Sequence, residues 1–300
     1  MTKPAYSKPA MTLPDQLALL KSRGMAVADD ARAMHYLGVI NYYRLAAYWL
    51  PYEADHASHR FKPGTQFEDV LDDYGFDREL RLLINDAIER VEVALRTQIA
   101  YQLSLKYGPH FFLDMGLFKD PIRYVQMLGK LRSDIQSSKK VFIEHFRANY
   151  SDALPPAWAA VEIMTLGQLS KWFAAVAHSS DRNLVARYFD FDEVQLVSFL
   201  HHLAVIRNIS AHHGRMWNRE FRFTFKIPRH RPKALLNSMN PAAQKKIYNT
   251  LTVLAYFLDN ISPNHHWREK LKALMDSAPA KQATMGFPAN WKTLTIWTKN

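Results

Sequence analysis

The sequence has no cysteine, only ten glycines and no long hydrophobic run. Without cysteine it can form no disulfide, no thiolate metal site and no cysteine nucleophile, which fits a reducing cytoplasm. So few glycines disfavour a turn-rich β sandwich or barrel. No segment approaches the ~18 uninterrupted apolar residues of a membrane helix, and residues 1–14 lack the apolar run of a secretory signal. A Gly-rich phosphate loop and a G-x-S-x-G turn are also absent, which argues against an NTPase or a serine hydrolase.

The composition is otherwise that of a globular protein with an excess of positive charge. Hydrophobic residues make up 48% of the 300 residues and aromatic residues 13%, which excludes a disordered chain. The 39 Lys and Arg residues outnumber the 28 Asp and Glu residues, giving a net charge of +11. Such an excess favours a polyanionic partner, with nucleic acid first and an anionic membrane surface second.

Apolar residues recur at helical spacing through most of the chain, which predicts an all-α fold. The predicted helices cover residues 14–23, 29–37, 66–74, 77–107, 121–138, 140–150, 158–165, 166–177, 181–189, 193–213, 240–260 and 267–276. Residues 41–52 are rich in aromatic side chains and are expected to be buried. Thr65 and Glu68 have the spacing of a capping box, Gly75 is expected to interrupt the helix that follows, and Asp77 to cap the next one. Residues 53–64 are expected to form a loop, and the alternation at residues 221–226 predicts a short strand or β hairpin.

An unusually polar string ends the predicted helix at residues 193–213, and Gly214 is expected to take the left-handed C′ position after it. The string runs from Arg207 to Arg219 and holds three arginines, two histidines and two asparagines. Steps of four, three and four from Leu196 reach Arg207, so Arg207 continues the apolar face, where a charge needs a partner. In the structural interpretation that partner is a carboxylate of the long helix: Asp86, Glu89 or Glu92. In the functional interpretation it is a ligand.

Helical geometry separates two members of this string. At ~100° per residue, Arg207 and His212 lie about 140° apart on an ideal helix, whereas Asn208 and His212 share a face. Arg207 and His212 can therefore converge only where the helix ends near Gly214, or where a second copy of the chain contributes its own motif.

Arg207, Asn208 and His212 form an Arg-Asn-x-x-x-His pattern that resembles the signature of HEPN domains, which are helical domains that act on RNA. The whole chain resembles the Abi-like abortive-infection family of the AbiD/AbiF type. The similar segments, in chain order, are residues 8–10, 16–20, 42–45, 61–64, 76–81, 88–96, 107–109, 207–219 and 285–288.

The resemblance implies a HEPN-like helical core at residues 65–220, with helical extensions at residues 1–64 and 221–300, or one compact domain. It also implies a homodimer in the bacterial cytoplasm that has no membrane partner and serves phage defence or a toxin–antitoxin system. The implied activity is RNA cleavage without metal or cofactor, with Arg207, Asn208 and His212 as catalytic residues. Two other functions stay open: a non-catalytic protein that holds a cognate small RNA, and a protein-interaction module that senses phage.

Further candidate residues surround this motif. Those expected to bind RNA or to assist catalysis are His213, Arg215, Trp217, Asn218 and Arg219. Trp217 could stack on a base, although core packing is the alternative. A basic loop expected to contact phosphate, or to be merely solvated, contains Lys226, Arg229, His230, Arg231 and Lys233.

Two other groups of residues carry expectations: the charged residues of the long helix and the histidines. Glu89, Glu92 and Arg96 are expected to support the site by holding Arg207, or to form a simple ion pair on one helix. No metal site is predicted, because His201 and His212 lie ~16 Å apart along one helix and one ion cannot bridge them.

Overall fold

The computed structural model describes residues 5, 7, 9–228 and 230–299, and most of these residues are helical. The all-α prediction is confirmed, with one short β hairpin. The chain forms two compact units, residues 1–79 and residues 80–300. The predicted division into a core and two extensions, at residues 64/65 and 220/221, stays a prediction. Among the described residues, no helix is long and apolar enough to cross a membrane.

The first unit begins with three helices, and the sequence predicts the starts of the first two well. They are α1 (Leu13–Ser22), α2 (Asp30–Ile40) and α3 (Tyr42–Trp49). The Thr12 side chain accepts a hydrogen bond from the backbone N–H of Asp15, and the Asp29 side chain accepts one from Arg32. These caps satisfy N–H groups that have no partner inside the helix, so each helix begins where a capping side chain occurs.

The β hairpin lies in this unit, not at residues 221–226. Strands β1 (Glu53–Asp55) and β2 (Arg60–Phe61) pair antiparallel within the segment predicted as a loop. The Asp55 carboxylate accepts hydrogen bonds from the backbone N–H groups of Ala57 and Ser58 and so closes the turn. Polar residues with this local bonding stabilise a tight turn as readily as a loop, which the alternation rule for strands does not detect.

A single helix, α4 (Phe67–Tyr107), replaces the two helices predicted on either side of Gly75. Asp77 does not cap a helix. It lies in the middle of α4, where its buried carboxylate accepts a hydrogen bond of 2.7 Å from the Tyr48 hydroxyl. A helical glycine costs only about 1 kcal/mol, less than the surrounding packing provides. Helix α4 also starts one residue later than a capping box at Thr65 predicts. The Thr65 hydroxyl donates to the Lys62 carbonyl instead of accepting from the helix, and the Asp69 carboxylate accepts from the backbone N–H of Gln66.

The second unit contains the rest of α4 and, within the described residues, ten further helices by our numbering. They are α5 (Pro121–Ser137), α6 (Val141–Asn149), α7 (Ala157–Ala160), α8 (Leu166–Ala175), α9 (Ser179–Tyr188), α10 (Glu193–Ala211), α11 (Lys233–Leu236), α12 (Tyr248–Ile261), α13 (Trp267–Ser277) and α14 (Thr295–Thr298). Short 3₁₀ turns lie between several of them. The predicted helix at residues 158–165 is shorter than expected, because Thr165 caps α8 with a capping box to Gln168.

Helix α12 forms the centre of the second unit, since every residue from Tyr248 to Leu258 is buried. A helix that is buried all round must be covered on every side. Phe257 stacks on Phe189 and Phe199, with ring centroids 4.9 and 5.2 Å apart, and so joins α12 to α10. Close aromatic packing of this kind fixes the position of α10, whose last turn carries the polar string.

Helix α12 starts eight residues later than predicted. Asn240 begins a 3₁₀ turn, Pro241–Ala243, rather than the α-helix. The side chain of Asn249 bonds both the backbone N–H and the backbone carbonyl of Asn240, each at 2.8 Å. These two bonds hold the segment that begins at Asn240 against α12. A sequence pattern that compares only neighbouring residues cannot reveal such a contact.

Candidate nucleic-acid site at the end of helix α10

Helix α10 is anchored at both ends. At its start, Asp192 forms a capping box with Gln195, which satisfies two orphan N–H groups. Leu196, Leu200 and Leu203 are fully buried, as the predicted apolar stripe requires. At its end, the buried Ser210 hydroxyl donates to the Arg81 carbonyl of α4 at 3.3 Å. The last turn is therefore held in place while its outer face stays open.

The helix ends at Ala211, with a hydrogen-bond pattern typical of a Schellman motif. The Gly214 N–H donates to the Ile209 carbonyl at 2.8 Å, and the His213 N–H donates to the Ser210 carbonyl at 3.0 Å. His213 has φ 59°, so it takes the left-handed position that was assigned to Gly214. Glycine normally fills that position because it has no Cβ. A histidine there is a strained residue of the kind that clusters at functional sites.

Gly214 has a different role from the predicted one. A Cβ added to it would lie 2.9 Å from Ile209 Cγ2 and 3.1 Å from the Ile209 carbonyl oxygen. Glycine is needed here for close approach to the last turn of α10, not for its backbone angle. This approach turns the chain sharply after His213 and directs Arg215 away from the helix axis.

Arg207 leaves the apolar face of α10 as a half-buried side chain. Its guanidinium donates to the neighbouring Asn208 side chain at 3.4 Å. Within the described residues, Arg207 forms no ion pair, so neither Glu89 nor Glu92 holds it. The charge is accommodated because the guanidinium reaches the solvent, as long arginine side chains do beside apolar surfaces.

Asn208, His212 and His213 are exposed in the same turn as Arg207. His212 is the C-cap residue of α10. Across the described parts of the chain, no hydrogen bond joins the Arg207 and His212 side chains. Within the described residues, one chain therefore joins the side chains of Arg207 and Asn208 but not those of Arg207 and His212, in agreement with their ~140° separation on an ideal helix.

The residues after Gly214 pack around Trp217. The Trp217 ring is only 5% exposed, so it fills the core and offers no open face to a base. The Arg215 guanidinium lies 5.9 Å from its centroid and Lys281 Nζ lies 4.9 Å from it. Arg219 donates to the Arg215 carbonyl at 3.3 Å, and Arg215 to the Asn218 carbonyl at 3.4 Å. Sequence reasoning missed Lys281, because no local pattern joins it to a residue 64 positions earlier.

Glu92 and Arg96 support the helical bundle instead of Arg207. They form an ion pair on α4, and Arg96 also binds Glu162 at 3.1 Å and the Met164 carbonyl at 2.8 Å. The Arg96 side chain is only 15% exposed. The Glu92–Arg96 pair is therefore partly buried, unlike the simple ion pair that the sequence offers as the alternative. These bonds attach α4 to the segment before α8, while Glu89 stays exposed.

The segment at residues 221–226 is irregular, with a bend at Arg222, and forms no strand within the described residues. Phe221 and Phe225 are buried, and His202 of α10 fixes the backbone between them. His202 Nδ1 lies 2.8 Å from the Phe223 carbonyl, and Nε2 lies 2.8 Å from the Thr250 hydroxyl. Burial lowers the pKa of His202 to about 4, against a smaller raising effect of the Phe223 carbonyl, while the charge of His201 lowers it further.

The basic loop that follows is open to solvent. Lys226, His230, Arg231 and Lys233 are exposed, and Arg229 lies outside the described residues. The Lys226 backbone N–H donates to the Ser198 hydroxyl of α10 at 2.9 Å, so the loop starts beside the same helix. Where the chain is described, no group of three or more His, Asp or Glu side chains is arranged to hold a metal ion.

The left-handed position of His213 gives a stability prediction. Replacing His213 with glycine is expected to raise the free energy of unfolding by about 1 kcal/mol, because the strain of a left-handed L-residue is removed. Urea denaturation of both proteins measures the difference. A destabilised H213G variant would mean that the histidine ring makes contacts that outweigh the backbone strain.

The close approach at Gly214 gives the opposite prediction. Gly214→Ala is expected to destabilise the protein by about 1–3 kcal/mol, because the new Cβ overlaps Ile209. Gly129→Ala is the matched control: it lies in α5 with nothing within 4 Å of an added Cβ, so it should stabilise by up to about 1 kcal/mol. Equal denaturation midpoints for the two variants would contradict the tight contact.

Comparison with known proteins gives a family match. A family model described as Abi-like protein matches residues 35–218, more than half of the chain. The matched segment contains α10 and its terminal turn, and it ends before the segment at residues 221–226. No curated protein and no solved structure matches.

Proposed function

The chain belongs to the Abi-like protein family, and from this premise we propose that it is a bacterial phage-defence protein that cleaves RNA at the end of α10. Membership of the family supports a role in abortive infection. The RNA substrate, the cleavage reaction and the cytoplasmic location are our proposals. They rest on the resemblance of Arg207, Asn208 and His212 to the HEPN signature and on the geometry of the terminal turn.

The observation that carries the proposal is the open last turn of α10. It presents an arginine that forms no ion pair among the described residues, beside two exposed histidines, and one of these has a strained backbone. Guanidinium groups bind phosphate oxygens in two-pronged fashion, and histidine moves protons near neutral pH. A site that only needed structural support would have no use for these groups at an exposed helix end.

The proposed chemistry is transfer within the RNA itself. The 2′-hydroxyl oxygen forms a bond to the adjacent phosphorus while the bond to the 5′ oxygen breaks, leaving a 2′,3′-cyclic phosphate and a 5′-hydroxyl. One proton leaves the 2′-hydroxyl and one reaches the 5′ oxygen, and His212 moves one of them. Arg207 stabilises the charge that develops on the phosphate oxygens, and Asn208 orients the Arg207 guanidinium through their hydrogen bond.

A homodimer is part of the proposal. Arg207 and His212 of one chain lie ~140° apart on an ideal helix, so a second copy is the natural source of the missing partner. A two-fold axis would place the same turn on both sides of one groove. Each cleavage centre would then combine groups of both chains, and the monomer would be inactive.

The test is cleavage of total cellular RNA by the purified protein in excess EDTA. We expect RNA fragments with 2′,3′-cyclic phosphate ends, and no cleavage of an oligonucleotide in which the 2′-hydroxyls are replaced by hydrogen. RNA that co-purifies without being cut would replace the nuclease with the second candidate, a protein that holds a small RNA. With neither cleavage nor bound RNA, RNA would be excluded as the partner and a protein-interaction module would remain.

A further inference from the structure

Phe223 is an exposed aromatic ring held between two buried ones. It is 56% exposed, whereas Phe221 and Phe225 are 3% and 7% exposed. Residues two apart share one side of a regular extended strand, so an exposed Phe223 between two buried rings shows that the segment departs from strand geometry here. The proposed cleavage reaction does not use this ring, and a solvent-exposed phenylalanine makes no favourable contribution to folding.

The position of Phe223 is fixed by three contacts with α10. Its carbonyl oxygen lies 2.8 Å from His202 Nδ1, and the Lys226 N–H donates to Ser198 at 2.9 Å. The centroid of the Phe223 ring lies 5.9 Å from that of the His201 ring, with an angle of 85° between the two planes. His201 is also exposed. The two perpendicular rings thus form a corner whose shape is set before any ligand binds.

The surroundings of this corner are entirely cationic in sequence. Residues 221–233 contain five Lys and Arg residues and no Asp or Glu. Arg222, Lys226 and Arg231 are exposed. An aromatic face surrounded by positive charge matches single-stranded nucleic acid, in which bases stack on the ring and phosphates meet the cations. An apolar protein partner would gain nothing from the exposed charges of Arg222, Lys226 and Arg231.

The corner lies on the same side of α10 as part of the terminal turn. Steps of four, three and four lead from His201 through Val205 and Asn208 to His212, so these residues share one helical face. Eleven residues of helix span ~16 Å. A stacked strand advances about 3.4 Å per nucleotide, so no more than about five nucleotides separate the two places.

We propose that Phe223 and His201 form a stacking subsite for an unpaired RNA base within about five nucleotides of the bound phosphodiester. This subsite deepens the proposed function and depends on it. The base stacks on Phe223, and Arg222 and Lys226 bind the flanking phosphates. The protein therefore takes single-stranded RNA, and a duplex, whose bases are already stacked and paired, binds more weakly.

The experiment measures RNA affinity in the full chain with His212→Ala as background, so that the RNA stays intact. The probe is a fluorescein-labelled 12-nucleotide oligouridylate, titrated by anisotropy at several salt concentrations. Phe223→Ala and Phe223→Leu are both expected to weaken binding roughly five- to a hundredfold, and Phe223→Trp to preserve it. Leucine keeps the apolar volume but lacks a π face, so weaker RNA binding by Phe223→Leu distinguishes base stacking from apolar packing.

Two matched variants complete the test. Tyr150→Ala removes a ring of similar exposure, 58%, and should leave the affinity unchanged. Arg222→Ala should reduce the slope of log affinity against log salt by about 1, whereas Phe223→Ala should not change it.

Two outcomes would overturn the subsite, and they are distinguishable. If the background protein binds the oligonucleotide and Phe223→Ala binds it equally well, the subsite is wrong, the proposed function stands, and the surface is reassigned to a protein partner. If the background protein and the wild type bind no RNA and the wild type cleaves none, the subsite and the proposed function fail together.

Discussion

Replacing His212 with alanine is expected to lower the rate of RNA cleavage by about a hundred- to ten-thousandfold. Loss of a positioned proton-transfer group typically has this effect. His212 is exposed at the C-cap of α10 and its side chain makes no hydrogen bond within the described residues, so the fold should not change. Single-turnover cleavage of a short RNA and the denaturation midpoint of each protein measure the two quantities.

Arg207→Ala should have an effect of comparable size, about a hundred- to a thousandfold, because it removes a donor to the developing phosphate charge. Arg207→Lys should recover little of the activity, since a lysine cannot make the two-pronged contact. His145→Ala and Arg132→Ala remove exposed side chains of the same types on α6 and α5 and serve as controls. If His212→Ala and Arg207→Ala cleave at the wild-type rate, the proposed active site is wrong.

The second large effect expected is a loss of stability in acid that depends on His202. Its pKa falls from an ordinary 6.5 to about 4 because the ring is buried. The unfolded chain therefore takes up a proton between pH 6.5 and pH 4 that the folded chain rejects. The stabilisation is fully present above pH 6.5 and is lost as the pH falls to about 4, a difference of roughly 3 kcal/mol.

Urea denaturation at pH 7.5 and pH 4.5 measures this loss in the wild type and in His202→Gln. Other groups also titrate in this range, so the informative quantity is the difference between the two proteins. The variant should be less stable at pH 7.5, because it loses the bonds to Phe223 and Thr250, and its further decline in acid should be smaller. Parallel declines would contradict a neutral, buried His202.

The same variant links stability to the proposed RNA surface. His202 holds the carbonyl of Phe223, so its loss removes one of the three contacts that fix the segment at residues 221–226 on α10. RNA affinity should fall in His202→Gln as well, although the side chain contacts no RNA. His201→Gln, which changes an exposed neighbour whose charge is only the third cause of the low pKa of His202, should alter the acid stability much less than His202→Gln.

The sequence identified α10 and its polar end because both depend on local rules. The Asp192 capping box, the stripe through Leu196, Leu200 and Leu203, and the density of arginine and histidine after Arg207 are visible within twenty residues of sequence. The separation of Arg207 and His212 also follows from helical geometry alone. These features needed no knowledge of the fold.

Errors arose where the outcome depended on a distant partner. Gly75 was expected to break a helix, but Asp77 beyond it is bonded to Tyr48, and α4 continues. The alternation at residues 221–226 predicts a β hairpin, yet the His202 side chain lies at the Phe223 carbonyl, and no strand pairs with this segment within the described residues. Gly214 was assigned the left-handed position that the Schellman bonds give to His213.

The sequence alone determined the helical class, the family resemblance and the polar turn that carries the candidate chemistry, since periodicity, capping and motif spacing act over a few residues. Only the tertiary structure decided which charges are paired, which aromatic rings are open and which residues meet. Glu92 binds Arg96, Lys281 covers Trp217, and Phe223 stays exposed although Phe221 and Phe225 are buried. These outcomes depend on packing between segments far apart in the chain, and that packing is a property of the whole fold.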